Sequence, residues 1–262
     1  MGLALVILII SLALVYDFLN GANDRANAIA TVVATKALTP LKAMVLASFF
    51  NLLGALISTE VAKTIGKGIV STDDLAPTIF LLVLVSGLCG AILWTFLCTI
   101  AGIPMSVTHA LIGGLIGAGV VAGGTGAIQW EILREKVFFF IVLGPLIGFL
   151  AGALLFAFVS WMLYLFFKTV SPFRTEELFK KLQTVSASFM AFSHGMNDTQ
   201  NAMGVITAAL IVSGLFLTSP GEFIVPWWVK ILCGTMMALG TLLMGQKVME
   251  TLGWRLARLE AK

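Results

Sequence analysis

The sequence predicts an all-α polytopic membrane protein built from two repeats of inverted topology, with discontinuous helices and a re-entrant hairpin. Three observations carry that reading. Of 262 residues, 59% are hydrophobic and 11% charged, with a mean hydropathy of +1.04. A soluble domain carries about 25% charged residues. Apolar runs long enough to cross a bilayer, roughly 17–25 residues, follow one another along the chain. A short polar pattern, G-x-N-D-x-x-N-A, occurs twice, at 21–28 and at 195–202. The composition excludes a soluble fold, and without a long basic stripe it gives no support for nucleic-acid binding. The formal net charge of +3 decides little, because the position of charges matters more than their sum in a membrane protein.

Leu3 to Leu19 is apolar apart from Ser11, Tyr16 and Asp17 and reads as a first spanning helix. It lacks a basic leader and a small-residue cleavage site, so it does not read as a signal peptide. It runs into the first motif, which is expected near the end of a span or at a break within one. Asn23 and Asn27 stand at i and i+4 and project from one helix face, with Asp24 one position round. Amide oxygens and a carboxylate on one turn suit a hard cation such as Na⁺. Gly21 would let the backbone leave helical geometry and offer carbonyls too. Helix caps or polar glue between helices is the competing reading of either copy alone. Duplication in apolar surroundings favours a functional site.

Thr35 to Pro40 reads as a connection, with Pro40 suited to the first turn of the next helix. Leu41 to Ile57 is a second span, continuing into Glu60, Lys63 and Lys67. Ser71-Thr72-Asp73-Asp74 is a polar loop and a cap candidate, and Ala76 to Ile100 is a third apolar run. The stretch Gly102-Ile103-Pro104-Met105-Ser106-Val107-Thr108-His109 then interrupts helix formation at Pro104. The Gly-rich segment that follows is too short for a comfortable span, so a re-entrant hairpin fits better. Free amides at such a helix N-terminus, together with Ser106 and Thr108, form an anion site. A Pro-kinked helix whose hydroxyls bond back to the preceding turn is the alternative.

Lys136 to Phe167 exceeds one crossing and reads as one long tilted helix or as two segments joined at Pro145. Lys168 to Lys181 is a charged loop whose Lys/Arg excess places 168–183 in the cytoplasm. Val185 to Phe216 carries the second motif, Pro226 to Leu252 is the last apolar run, and Arg255 to Lys262 is a charged end. Cys89, Cys98 and Cys233 all lie in apolar runs without metal-ligand spacing and read as small buried hydrophobes.

The internal similarity extends past the motifs. Leu53-Gly54-Ala55-Leu56-Ile57 resembles Leu239-Gly240-Thr241-Leu242-Leu243, and Lys63-Thr64-Ile65-Gly66 resembles Glu250-Thr251-Leu252-Gly253, in the same order. The expected division is then 1–135, a first repeat with motif and hairpin; 136–183, a connecting helix or helices and cytoplasmic loop; and 184–262, an incomplete second repeat, truncated at its C-terminal side. Weak internal symmetry of this kind suggests a transporter. Symmetry also leads one to expect roughly sixty further residues after Lys262 in a complete second repeat.

With these residues in view, the chain resembles the inorganic phosphate transporter (PiT) family, which also includes sulfate permeases. The resemblance rests on Gly21–Ala28, Gly102–Ala110 and Ser193–Ala202, and covers essentially the whole chain. It implies a secondary transporter, not an enzyme, that takes up phosphate, or alternatively sulfate, with Na⁺ or H⁺ and no other cofactor. Asn23, Asp24, Asn197 and Asp198 would bind the coupling cation. Ser106, Val107 (through its backbone) and Thr108 would contact the anion, with Asn27 and Asn201 framing it. A homodimer is implied as well. The family's second proline-led S-T-T-H stretch is absent, and Val107 stands where a hydroxyl residue is common. Arg25, replaced by Thr199 in the second copy, is expected to pair or to reach the membrane interface. Three competing classes are an intramembrane hydrolase, with Ser106 as nucleophile, His109 or His194 as base and Asp24 or Asp198 as orienter, a channel, and a non-transporting fragment or structural or regulatory subunit. A triad needs no duplicated Asn-Asp motif, which counts against the hydrolase.

Overall fold

The computed structural model describes residues 2–71, 75–166, 171–219 and 222–252, and its regular elements there are helices. Helix α1 (Gly2–Ala34) runs unbroken for 33 residues through the first motif. The break expected at Gly21 does not occur. Neighbouring helices supply partners for the motif's side chains, so the backbone keeps its own ladder of hydrogen bonds.

Helix α2 (Pro40–Ala55) starts with Pro40 in its first turn, where a missing N–H costs nothing. Helix α3 (Glu60–Lys67) follows at a 72° bend, so the second apolar run is broken rather than straight. Helix α4 (Pro77–Ala101) ends at Gly102, whose φ of 72° is the left-handed cap conformation that favours glycine. Pro104 lies in the non-helical link. Helix α5 (Val107–Gly123) then begins with Ser106 as N-cap, its Oγ accepting the His109 N–H at 3.3 Å. Seventeen residues give α5 a length of about 26 Å. The hairpin of α4 and α5 closes tightly, since a Cβ on Gly114 would sit 2.5 Å from the Gly87 carbonyl oxygen.

Short helix α6 (Trp130–Leu133), a π turn at Arg134–Phe138 and helix α7 (Phe139–Phe166) form one continuous 37-residue stretch. Pro145 does not divide it, and no residue of α7 is buried. Helix α8 (Pro172–Val212) is 41 residues long and changes one expectation. The charged segment expected as a loop over 168–183 is helical from Pro172 onward. Pro172 opens the helix, and Glu176 and Lys180 pair at i and i+4 (2.5 Å), which supports the first turns. Helix α9 (Trp227–Leu243) turns through Gly245 (φ 93°) into helix α10 (Gln246–Glu250). Thr72, Asp73, Asp74, Lys168, Gly253 and the charged end at 255–262 lie outside the described residues.

Three helical stretches are long and apolar enough to span a bilayer, namely α1, α4 and Trp130–Phe166, and the bent pair α2 and α3 makes a fourth if it is one span. Together they make this a membrane protein. Helix α1 lies at the centre and packs against α2, α4, α8 and α9.

Candidate functional site

Glycines set how closely the motif helices approach their neighbours. A Cβ on Gly21 would lie 2.1 Å from the Met237 carbonyl oxygen on α9, and one on Gly240 would lie 1.8 Å from the Phe18 carbonyl oxygen on α1. The second motif repeats this contact on α2. There a Cβ on Gly195 would lie 2.0 Å from the Asn51 carbonyl oxygen, and one on Gly54 would lie 2.1 Å from the Phe192 carbonyl oxygen. Within each motif, glycine is therefore needed for backbone-to-backbone approach and not for a bend. Helices α1 and α8 lie antiparallel: Thr35 Oγ1 donates to Gln183 Oε1 (2.6 Å), while Asp24 meets His194 eleven residues back along α1.

The centre of the site is where α1, α8 and the tip of α5 meet. One ligand atom from each of Asp24, His194 and Asp198 lies within 4.8 Å of the others. His194 Nε2 is 3.6 Å from Asp24 Oδ2, and its Nδ1 is 3.1 Å from Asn51 Oδ1 on α2. Asn51 Nδ2 donates to Thr241 Oγ1 (2.8 Å), whose one proton is shared between the Met237 carbonyl (3.0 Å) and the Gly21 carbonyl (3.2 Å). A chain of buried polar groups thus links both motifs through α2 and α9. Two carboxylates and an imidazole this close and this sheltered favour a cation among them.

The hairpin tip is tied to both motif helices. Thr108 Oγ1 donates to Asp198 Oδ2 (3.3 Å) and accepts from Asn201 Nδ2 (2.7 Å). Tyr16, fully buried on α1, donates its hydroxyl to the Val107 carbonyl (3.1 Å). The first amides of α5, those of Val107 and Thr108, have no intrahelical acceptor, because α5 starts there. An oxyanion at this point would meet amide N–H groups, the positive end of a helix and the Thr108 hydroxyl.

The residues singled out from the sequence are distributed unevenly around this centre. Asp24, Asp198, Thr108 and Asn201 converge. Asn27 is exposed and donates to Asp24 Oδ1 at 3.3 Å. Asn23 is buried but turned to α4, where its Nδ2 donates to Thr99 Oγ1 (3.0 Å) and its Oδ1 has no partner. Asn197 is exposed and donates to the Ser193 carbonyl one turn back (2.8 Å), so it does not join the cluster. Ser106 is exposed and occupied as a cap. Arg25 is buried and donates to the Thr241 carbonyl (3.3 Å) and to Met44 Sδ (3.1 Å), so it does not reach the membrane interface. His194 sits with Asp24 and Asn51, not beside Ser106.

Several site residues escaped the sequence reading. Asn51 carried a signal, since it stands three residues before Gly54, the repeat partner of Gly240. Tyr16 and Thr241 gave none, because single polar groups in apolar runs have no pattern. His194 entered the sequence reading only as a base candidate of the hydrolase alternative, oriented by Asp24 or Asp198, and its place in a cation site needed the knowledge that α8 faces α1.

A family model described as the phosphate transporter family matches residues 20–262. The chain belongs to the phosphate transporter family. Among curated relatives, a probable low-affinity inorganic phosphate transporter of Rhizobium meliloti (strain 1021) is 42% identical over 252 residues, covering 96% of this chain and 72% of the relative. Its counterpart from Bacillus subtilis (strain 168) is 40% identical over 257 residues, covering 98% of this chain and 74% of that one. A mycobacterial relative, from Mycobacterium bovis, is 39% identical, and this chain spans 58% of its length. A solved structure described as the sodium-dependent phosphate transporter superposes with a TM-score of 0.75 at 28% identity, over 95% of this chain and 78% of that one. In this chain the paired Asn-Asp motifs fall on two antiparallel helices, and the proline-led stretch leads into the helix that meets them.

Proposed function

We propose that this chain carries inorganic phosphate across the membrane together with a cation, Na⁺ or H⁺. The observation that carries the reading is the meeting of Asp24, His194 and Asp198 within 4.8 Å beside the N-terminus of α5. Anionic ligands there attract a cation, and the helix end beside them attracts an anion. Each stabilises the other's occupancy, so the coupling is reciprocal. The sodium-dependence named for the solved relative supports Na⁺ as one coupling ion. In this reading Asp24 and Asp198 hold the cation, Thr108 and the first amides of α5 hold the anion, and Asn201 fixes the Thr108 hydroxyl. The repeat-related glycine contacts support a two-fold arrangement of the motif helices, with Pro172 to Gln183 on the cytoplasmic side.

The test is equilibrium phosphate binding to the purified chain, with and without Na⁺. Phosphate affinity should rise with Na⁺ in the wild type. Asp24→Asn and Asp198→Asn should each remove that dependence while the protein still inserts. Full Na⁺-dependent binding by either variant would refute the assignment.

A further inference from the structure

One group of buried polar side chains is left over by the site just described. Asp17 and Asn20 are both fully buried on α1. The donor that neighbouring helices bring to Asp17 is the Cys233 thiol, a weak one, and neither polar atom of the Asn20 amide has a partner. The ion pairs among the described residues do not include Asp17. With Asp24 these residues follow the spacing i, i+3, i+7, so all three lie along one face of the helix. Seven residues place Asp17 about 10 Å along the axis from Asp24.

An isolated carboxylate sealed from water is costly, and such a group is neutralised by a bound cation or a proton. The groups facing Asp17 from other helices are the Cys233 thiol on α9 and the Asp198 carboxyl on α8. Its neighbours on α1 are Tyr16, whose hydroxyl serves Val107, and Asp24 two turns on. Beyond the Asp17 and Asn20 oxygens this set offers a hard metal ion the Asp198 carboxyl, already engaged by Thr108, and a thiol, which suits it poorly. A carboxylic acid fits better. Its O–H can donate to an amide oxygen and its C=O can accept from an amide N–H, and Asn20 one turn away has both atoms free.

We propose that Asp17 is a proton site of the coupling machinery, with Asn20 as its positioning residue. Asp17 takes one proton from solution by way of the Asp24 end of this helix face and returns one, and nothing is oxidised or reduced. The proposal rests on the coupled-transport reading and adds a second cation position to it, inward of the one at Asp24, His194 and Asp198.

Infrared difference spectroscopy on the full purified chain tests the proton directly. The wild type should show the carbonyl band of a buried protonated carboxylic acid. Asp17→Asn should remove it, Asp24→Asn should retain it, and Na⁺ should leave it unchanged. Persistence of the band in Asp17→Asn, its absence from the wild type, or its loss on adding Na⁺ would overturn the proposal. A second arm uses proteoliposomes. Phosphate uptake driven by a pH gradient should fall at least tenfold in Asp17→Asn and be largely recovered in Asp17→Glu. Phosphate binding by Asp17→Asn should stay within about threefold of the wild type. Retained pH-driven uptake or lost phosphate binding in Asp17→Asn would each refute the role. A wild type that binds no phosphate would instead sink the transport reading, and the infrared result on Asp17 would still stand or fall by itself.

Discussion

Gly195→Ala should damage both stability and site, and the structure gives the size of the effect. The added Cβ would lie 2.0 Å from the Asn51 carbonyl oxygen and 2.6 Å from the Asn51 Cα and carbonyl carbon. All three are backbone atoms, so no flexible side chain can swing aside. Real Cβ contacts essentially never fall below 3.0 Å, so α2 and α8 must part by about 1 Å. Overpacking of this kind costs about 1–3 kcal/mol. For a chain of this size that is a fall in Tm of roughly 2–12 °C. The same separation stretches the contact between His194 Nδ1 and Asn51 Oδ1 beyond hydrogen-bond range from its present 3.1 Å. His194 would then lose the partner that orients it toward Asp24, and phosphate binding should weaken with stability. Thermal unfolding in detergent, read beside Gly148→Ala, is the assay. Gly148 lies in α7 with nothing within 4 Å of its would-be Cβ, so alanine there should stabilise by about 0.5–1 kcal/mol through backbone entropy. Equal Tm values for the two variants would refute the reasoning, because both remove a helical glycine and only one has a backbone in the way.

Two further outcomes follow from the hairpin tip. Thr108→Val keeps the side-chain shape and removes the hydroxyl that joins Asn201 to Asp198. Phosphate affinity measured by calorimetry should drop about tenfold, equivalent to about 1.4 kcal/mol, and Thr108→Ser should recover most of it. Tyr16→Phe removes the hydroxyl that serves the Val107 carbonyl, which keeps its acceptor role within the α5 ladder. It should lower stability by about 0.5–1.5 kcal/mol in thermal unfolding, and an unchanged Tm would show that the bond contributes nothing.

Much of this architecture was legible in the sequence, and the parts that were not have physical causes. Length and hydropathy gave the spanning runs, and Pro104 followed by Ser106 marked the start of α5 before any coordinates. The role of Gly21 was misread, because the same residue serves a bend or a close approach, and only the identity of the opposing helix decides between them. Asn197 looked equivalent to Asn23 by motif, yet it is exposed and bonds back to the Ser193 carbonyl where Asn23 is buried against α4. Helical phase relative to a partner cannot be read from one strand of sequence. The charged segment after Pro172 looked like a loop because charge density was weighed above the i and i+4 pairing of Glu176 and Lys180. His194 was paired with Asp24 or Asp198 in the sequence only as part of a hydrolase triad, and the packing of α1 beside α8 puts it with both carboxylates, not beside Ser106.

The reciprocal glycine contacts bear on the order of synthesis. Helix α1 leaves the ribosome carrying Asp17, Asn20, Asp24 and Arg25, while Met237, Thr241 and Cys233 on α9 lie roughly two hundred residues behind it. At about 5–20 residues per second, α1 waits tens of seconds for that face to be covered. A single charged residue at mid-helix costs insertion about 2.5–3.5 kcal/mol. Until α8 and α9 arrive, the polar face of α1 lacks the groups that cover it in the finished fold, and insertion of α1 alone carries that cost. Substitutions that weaken its polar face should speed insertion of α1 alone, even where they ruin the finished site.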